Sequence, residues 1–395
     1  MKRFLGLLFA LLAGLFCFAC GGNPAEEDPG GGGDPSGGNT EETLMTYDRY
    51  DPDAYLSPIW KGKVVYNETL LFLGKEDAAP LLYTPGEIIS VRSYDLATEY
   101  REGVDYTVEN GSIRLTENTT IPYFEESEYY PILPVQGSSF ECGKPGKPFI
   151  LFGEGDTFCS RQVAVTYRTK ERWRGATPAD ASALYPGTLR KLRAGEPLKI
   201  VFYGDSITTG ANSSGFLNLA PYADSFPGLV KKWLEKKYGS SVSLVNTAKG
   251  GENTQWGIDN AAARVTAYAP DLVVIGFGMN DVALSAQEHE EKMRALIGIV
   301  REGNPDAEIL LVSPMLPNEE VLWAYRNQPD FEEKLVQIGA EKGIGVANVT
   351  TMHRAVLERK RYRDMTGNNV NHPNDFLARI YAQTILRTLV GEDFC

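Results

Sequence analysis

The sequence predicts a three-layer α/β/α domain built on a doubly wound parallel sheet, preceded by an all-β sandwich of jelly-roll-like type. Two observations predict this order. From residue 198 onward, short apolar runs alternate with stretches of helical period, which indicates parallel strands joined by right-handed crossovers. Between residues 44 and 173, short β-rich runs are separated by Gly, Asn, Asp and Pro without a long helical period, which favours a sandwich.

Charge and composition narrow the classes of partner. The chain has 395 residues, 43% of them hydrophobic, with a net charge of −13. Such an acidic chain is poorly suited to a nucleic-acid backbone or an anionic lipid surface as its main partner. A neutral substrate such as a glycan is compatible with it.

The N-terminus has the pattern of a targeting segment. Lys2 and Arg3 precede the apolar stretch 4–18, which is too short to span a bilayer, and Cys20 follows a small residue. Residues 1–20 resemble a bacterial lipoprotein signal peptide with Cys20 as the lipidated residue, and an ordinary secretory signal is the alternative. We therefore expect an exported protein of the bacterial cell envelope, periplasmic or at the cell surface, held to the membrane only by its lipid.

Two further segments divide the chain. Residues 21–43 are rich in Gly, Pro and acids and predict a flexible linker. Residues 174–197 are interpreted as a connector between the two domains. Cys142 and Cys159 both fall in the first domain, and in an exported chain they are compatible either with a disulfide or with two free thiols.

The second domain, residues 198–395, shows its elements in order. Gly239 is a natural helix stop, and Ser285 with Glu288 forms a capping box that opens a helix. A further helix is predicted to end near Leu389. The predicted strands are 198–203, 242–246, 272–277, 309–313 and 346–349, and the helices between and after them cover 221–238, 285–302, 334–342 and 374–389.

Polar blocks follow the predicted strands or precede the last helix. They are Gly204-Asp205-Ser206 after the first strand, residues 246–254 after the second, Gly276–Asp281 after the third, and Asn371-His372-Pro373. In an open parallel sheet the carboxyl ends of the strands meet at one edge, where ligands bind. The four blocks are therefore predicted to gather there.

These blocks resemble those of the SGNH (GDSL-type) hydrolases. The resemblance covers residues 198–389 and implies a flavodoxin-like fold, an acyl-transfer reaction without a cofactor, and four functional residues. It implies that Ser206 is the nucleophile and His372 the base, and that the Ser206 N–H, Gly251 and Asn280 form the oxyanion hole. A β-domain joined to such a hydrolase is also similar to the two-domain carbohydrate esterases that deacetylate polysaccharides.

The chemistry agrees with these residue types. A serine hydroxyl needs a neutral imidazole to accept its proton, and a tetrahedral intermediate needs donors placed in advance. Of the three histidines, His289 lies among glutamates and is predicted to be surface-exposed, and His353 is predicted to be structural. The sequence contains no HExxH pattern and no clustered His and Cys set, so no metal site is predicted.

One position departs from the family pattern. Asn369 stands three residues before His372, where the family usually has an aspartate. We expect a Ser–His dyad in which Asn369 or a backbone carbonyl orients the imidazole. Asp364 or Asp375 acting as a displaced acid is the alternative.

The sequence thus predicts an exported serine esterase acting on small acyl groups, with acetyl as the first candidate, on an acylated glycan. Lipase or lysophospholipase activity and peptidoglycan O-acetyl esterase activity are alternatives. A glycan-binding surface lipoprotein with secondary hydrolase activity is a further one.

Overall fold

A computed structural model describes residues 56–394 of the chain. The predicted signal peptide, the lipidation site Cys20 and the linker lie outside these residues. The strands are β1 Val64–Leu71, β2 Ala78–Pro80, β3 Pro85–Ser93, β4 Glu99–Tyr100, β5 Tyr106–Glu109, β6 Ser112–Leu115, β7 Ser139–Glu141, β8 Phe149–Leu151, β9 Gln162–Thr169, β10 Leu198–Gly204, β11 Val242–Asn246, β12 Leu272–Gly276, β13 Glu308–Val312 and β14 Gly345–Ala347. The α-helices are α1 Glu126–Tyr129, α2 Pro186–Ala194, α3 Ser206–Thr209, α4 Phe226–Tyr238, α5 Thr254–Arg264, α6 Ala286–Gly303, α7 Gln328–Lys342, α8 Val349–Leu357 and α9 Asp375–Val390.

A five-stranded parallel sheet forms the centre of the second half, in the order β11-β10-β12-β13-β14. The chain leaves β10 for the edge strand β11 and then returns to β12 on the other side of β10. The strand order therefore reverses at β10, and the crevice that binds ligands in such sheets opens at its carboxyl end. This arrangement confirms the predicted doubly wound, flavodoxin-like sheet.

The first half is antiparallel, as predicted. One sheet has the order β1-β9-β3-β4, a second has the order β2-β6-β5, and β7 and β8 form a separate pair. β1 and β9 are largely buried, and their buried polar residues, such as Glu68 and Gln162, are hydrogen-bonded. This β-rich region, residues 56–169, precedes the α/β layers in the chain.

The hydrophobic core of the β-rich region continues into one face of the parallel sheet. Val91 and Val165 from the antiparallel sheet belong to the same buried cluster as Ile200 and Val274 from the parallel strands. Helix α9 lies within this cluster and is buried on nearly all sides. Polar side chains buried on this helix are hydrogen-bonded to neighbouring segments, as Gln383 is to the Ile59 N–H and the Ser57 carbonyl. A second cluster packs the opposite face of the sheet against α5, α6 and α7.

The cysteines Cys142 and Cys159 are both free, so the predicted alternative of a disulfide between them is wrong. Cys142 follows β7 and forms an isolated backbone bridge with Val321, whereas Cys159 is the buried first residue of a 3₁₀ turn after β8. Their separate backbone environments explain why the thiols do not meet. Burial raises the pKa of the Cys159 thiol to about 12, which leaves it unreactive.

Among residues 56–394, no helix combines the length and the apolar character that crossing a bilayer would require.

Candidate active site

Ser206 is the first residue of the short helix α3, directly after β10. Its side chain is nearly buried. Asp205 caps the helix by accepting a hydrogen bond from the Ile207 N–H at 3.0 Å. Gly204 is required before this turn, because a Cβ there would lie 2.3 Å from the Gly276 carbonyl oxygen. The turn therefore presents the serine hydroxyl at the carboxyl edge of the sheet.

His372 contacts Ser206 directly. Its Nε2 lies 2.8 Å from the Ser206 Oγ, and its Nδ1 lies 2.7 Å from the Oδ1 of Asn212. The Asn212 amide nitrogen donates to the Gly367 carbonyl at 3.2 Å, which turns its oxygen toward the ring. An oxygen acceptor at Nδ1 selects the tautomer with the proton on that nitrogen. The free lone pair of Nε2 then faces the serine hydroxyl.

The backbone conformation of Asn212 and the close approach of Gly367 place the Asn212 side chain against the His372 ring. It is almost fully buried, and its φ of +64° is a left-handed conformation that asparagine tolerates better than most residues. A Cβ on Gly367 would lie 2.4 Å from the Cβ of Asn212. Glycine at position 367 therefore allows the histidine loop to approach the asparagine.

The loop that carries His372 is organised by Asn368. The Asn368 Oδ1 accepts from the N–H groups of Val370, Asn371 and His372, each at 3.0 Å. The His372 carbonyl in turn accepts from the Thr366 hydroxyl at 3.0 Å. These bonds fix the backbone from which the imidazole extends.

Glu154, from the segment after β8, reaches the same site. Its Oε2 lies 3.4 Å from the Nδ1 of His372, and its Oε1 accepts from the Asn368 Nδ2 at 3.1 Å. Burial raises the pKa of Glu154, but hydrogen bonds and the charge of His372, with further bonds from Asn368 and Asn212, outweigh it and lower the pKa below its usual value. Glu154 is thus a carboxylate at neutral pH.

The structure does not place the expected groups against the ring. Asn369 accepts from the Tyr129 hydroxyl at 2.7 Å and donates to the Leu151 carbonyl at 2.9 Å, so it joins the loop to the β-rich region. Its predicted role in orienting His372 is replaced by that of Asn212. The reason is its positive φ of 68°, which accompanies a side chain hydrogen-bonded away from the ring.

Neither candidate for a displaced acid contacts the ring either. Asp364 is bound by the Leu71 N–H at 2.9 Å and by the Arg361 guanidinium. Asp375 accepts from the Ser214 N–H at 2.8 Å. Both carboxyls are buried and hold other parts of the fold together.

The predicted oxyanion donors come from neighbouring loops. Gly251 has a φ of +77°, a conformation that favours glycine, and a Cβ on Gly250 would lie 3.8 Å from the Ser206 Cβ. The Asn280 amide donates to the Glu252 carbonyl at 2.9 Å, directly after Gly251. The structure thus ties Asn280 to the glycine segment and brings that segment beside Ser206.

Asp205 and Asp281 hydrogen-bond within these loops, and burial shifts the pKa of each carboxyl. Burial raises the pKa of Asp205 to about 7, although the charge of His372 and the Ile207 N–H oppose this shift. Asp281 accepts from the Thr254 hydroxyl at 2.7 Å, which connects the β12 loop to the start of α5. Burial also raises the pKa of Asp281.

The other two histidines are buried. His289 is fully buried and stacks on Phe331 with ring centroids 4.0 Å apart, so its predicted surface position is wrong. It lies on the apolar face of α6, which the neighbouring glutamates conceal in the sequence. His353 accepts from the Leu316 N–H at 3.1 Å. Burial lowers the pKa to about 4 for His289 and about 3 for His353, so both stay neutral.

No group of three or more His, Cys, Asp or Glu side chains in the described part of the chain is arranged to hold a metal ion. The arrangement of Ser206, His372 and Asn212 can transfer a proton and form an acyl-enzyme without one.

Comparison with known proteins gives a family for part of the chain. Residues 202–380 match the model of the GDSL-like lipase/acylhydrolase family, which confirms the resemblance predicted from the motifs. No curated protein sequence matches the chain.

Several solved structures are similar to the chain. A two-domain esterase (CEX) active on acetylated mannans, co-crystallised with mannopentaose, is 22% identical with a TM-score of 0.45, and the match covers 55% of this chain and 56% of that one. A variant of Axe2, an acetylxylan esterase from Geobacillus stearothermophilus, is 21% identical with a TM-score of 0.42, over 50% of this chain and 95% of that one. The match thus spans little more than half of the two-domain esterase.

Proposed function

We propose, from the premise that residues 202–380 form a GDSL-like lipase/acylhydrolase domain, that the protein is a serine esterase that removes small acyl groups, acetyl first among them, from a polysaccharide. The observation that carries the proposal is the 2.8 Å contact between the Ser206 hydroxyl and an imidazole whose other nitrogen is held by Asn212. We further propose that the enzyme is exported and held to a bacterial envelope membrane by lipid on Cys20. Palmitate labelling that persists after Cys20→Ala would contradict this last part.

The reaction proceeds in two balanced steps. The Ser206 oxygen attacks the ester carbonyl carbon while its proton passes to the Nε2 of His372. The tetrahedral intermediate collapses, the bond to the alcohol oxygen breaks, and the alcohol leaves with the proton from His372. Water then attacks the acyl-enzyme by the same route and releases the carboxylic acid and the free serine.

Three groups are assigned to the developing oxyanion. They are the N–H groups of Ser206 and Gly251 and the side-chain amide of Asn280. Removing one such donor costs about 3–4 kcal/mol of transition-state stabilisation in well-studied serine hydrolases. The bond between the Asn280 amide and the Glu252 carbonyl fixes the amide before substrate binds.

The surroundings of Ser206 favour a polar substrate with a short acyl group. Gly250 and Gly251 lack side chains, and Glu154 beside His372 is polar, so these residues supply no aliphatic wall for a long chain. Such a surface offers hydrogen-bonding partners to sugar hydroxyls.

A cluster of aromatic side chains includes Phe152, which lies close to Glu154 in the chain. The Trp323 ring is 41% exposed and lies 5.3 Å from Phe140, which lies 4.9 Å from Phe152, two residues before Glu154. A partly exposed aromatic face of this kind suits the apolar face of a pyranose ring. This surface supports a glycan as the part of the substrate that carries the ester.

Acetate release from acetylated mannan, acetylated xylan and O-acetylated peptidoglycan tests the proposal, beside p-nitrophenyl esters of increasing chain length. We expect acetate release from a plant-type glycan and its loss in Ser206→Ala, with Ser243→Ala on the exposed side of β11 as the control. A preference for long acyl chains would indicate a lipase, and a preference for peptidoglycan the corresponding O-acetyl esterase. Tight glycan binding, with Ser206 inert to a fluorophosphonate, would replace the enzyme by a binding protein.

A further inference from the structure

We propose that Glu154, contributed by the β-rich region, is the anionic positioning residue of His372 and takes the place of the aspartate that Asn369 replaces. The inference rests on the proposed function, because it assigns a role within the same site. It makes the β-rich region a part of the catalytic machinery.

The geometry gives the carboxylate one clear orientation. Its two oxygens meet different groups of the histidine loop, the ring Nδ1 of His372 at 3.4 Å and the Asn368 Nδ2 at 3.1 Å. Asn368 also accepts the backbone N–H of His372 at 3.0 Å. A single asparagine therefore fixes both the acid and the histidine that it faces.

The segment that carries Glu154 is itself built into the fold. The Glu154 carbonyl accepts from the Thr157 hydroxyl at 3.0 Å, and a Cβ on Gly153 would lie 2.6 Å from the Thr157 side chain. On one side, the Leu151 carbonyl accepts from Asn369 in the histidine loop, and on the other, Phe158 is fully buried. The backbone that carries the Glu154 carboxylate is thus fixed at both ends of a short turn.

Asn212 and Glu154 divide the usual task of a catalytic aspartate. Asn212 is the closer acceptor for Nδ1 and selects the tautomer, but its amide carries no net charge. Glu154 supplies the negative charge beside the same nitrogen. Among residues 56–394, Asp205 in the turn between β10 and α3 also interacts electrostatically with His372.

During the reaction the imidazole becomes an imidazolium, and a neighbouring carboxylate stabilises that charge. Glu154 remains ionised and accepts no proton. Its side chain is 52% exposed, so solvent screens the interaction and the effect is smaller than for a buried aspartate.

The test compares Glu154→Gln with Asp156→Asn, an exposed acid two residues further along the same segment. Gln keeps the shape and can still accept from Asn368, so the change removes mainly charge. We expect kcat/KM on p-nitrophenyl acetate to fall roughly tenfold in Glu154→Gln, with the acid limb of its pH profile displaced to lower pH. Glu154→Asp should recover part of the loss, and Asp156→Asn should leave the rate and the profile unchanged. An unchanged profile in Glu154→Gln, or equal losses in both neutral variants, would overturn the proposal.

An NMR titration of the histidine rings in the full chain provides a readout that needs no activity. Burial lowers the pKa of His289 to about 4 and that of His353 to about 3, so the signals of these two rings are separated from those of His372, the third histidine of the chain. Its midpoint should move to lower pH in Glu154→Gln, because loss of the carboxylate disfavours the imidazolium. If the wild-type protein hydrolyses no ester, the proposed function fails, and a titration midpoint that does not move would independently refute the role of Glu154.

Discussion

Two polar networks join the β-rich region to the rest of the chain, and they differ in burial and in what they hold. The interior network surrounds Lys360, whose ammonium lies 2.6 Å from the Glu68 carboxylate with both side chains fully buried. The network at the rim surrounds His372 and includes the half-exposed Glu154. The charges of Lys360 and Glu68 hold the β-rich region in position, whereas the charge of Glu154 acts on the catalytic histidine.

The Glu68–Lys360 pair makes several further hydrogen bonds. Glu68 also accepts from the Tyr167 hydroxyl at 2.7 Å and the Leu82 N–H at 2.8 Å, and Lys360 donates to the Thr69 carbonyl at 3.1 Å. Next to it, Arg361 pairs with Asp77 and Asp364. A buried ion pair adds little net stability compared with apolar residues of the same volume, but removal of one partner is costly.

The same interior contacts position the histidine loop. Asn374, which caps α9 two residues after His372, donates to the Thr69 hydroxyl at 2.9 Å and to the Gln162 side chain at 3.0 Å. β1 and β9 therefore hold the start of the last helix while Glu154 approaches the ring from outside. The β-rich region therefore both supports the start of the last helix and supplies the negative charge beside His372.

The largest expected effect comes from breaking the interior pair. Lys360→Met leaves the Glu68 carboxylate buried without its cation, which should cost about 3–5 kcal/mol of unfolding free energy. Urea unfolding measures this loss. The double variant Lys360→Met with Glu68→Leu should recover a large part of it, because no uncompensated charge remains. A double variant as unstable as the single one would mean that the pair contributes through its hydrogen bonds and not through charge.

At the rim, Asn212→Ala should lower kcat roughly 100-fold with little change in KM, because the imidazole loses the acceptor that sets its tautomer. Steady-state kinetics on p-nitrophenyl acetate checks this. Asn218→Ala is a matched control, since Asn218 lies in the same segment with a φ of +54° and is exposed. Equal losses in the two variants would assign the effect to backbone strain.

The two networks also mark the limit of what the sequence reveals. Ser206 and His372 were predictable because each lies in a short motif at the end of a strand or before a helix. Asn212 and Glu154 were not, because their roles depend on side chains brought together from distant segments. Asn212 belongs to a polar run after α3 that has the composition of an ordinary loop, and Glu154 lies in a region interpreted as a separate domain. The strands and helices followed from the periodicity of apolar residues. That the core of the β-rich region continues into one face of the parallel sheet leaves no such pattern in the sequence.

The last effect depends on pH and concerns a carboxyl buried beside the nucleophile. Burial raises the pKa of Asp205 to about 7, against about 3.9 in an unfolded chain. The folded state therefore binds the proton more tightly, so this stabilising contribution is complete below pH 4 and disappears as the pH rises through 7.

Asp205→Asn keeps the cap on Ile207 and cannot ionise. The unfolding free energy of Asp205→Asn minus that of wild type should be about 4 kcal/mol larger at pH 8 than at pH 4. Urea unfolding at the two pH values measures this, with the exposed Asp259→Asn as the control for lost charge. A difference between Asp205→Asn and wild type that is the same at both pH values would show that the pKa of Asp205 is the same in the folded and unfolded states, and that its neighbours compensate for its burial.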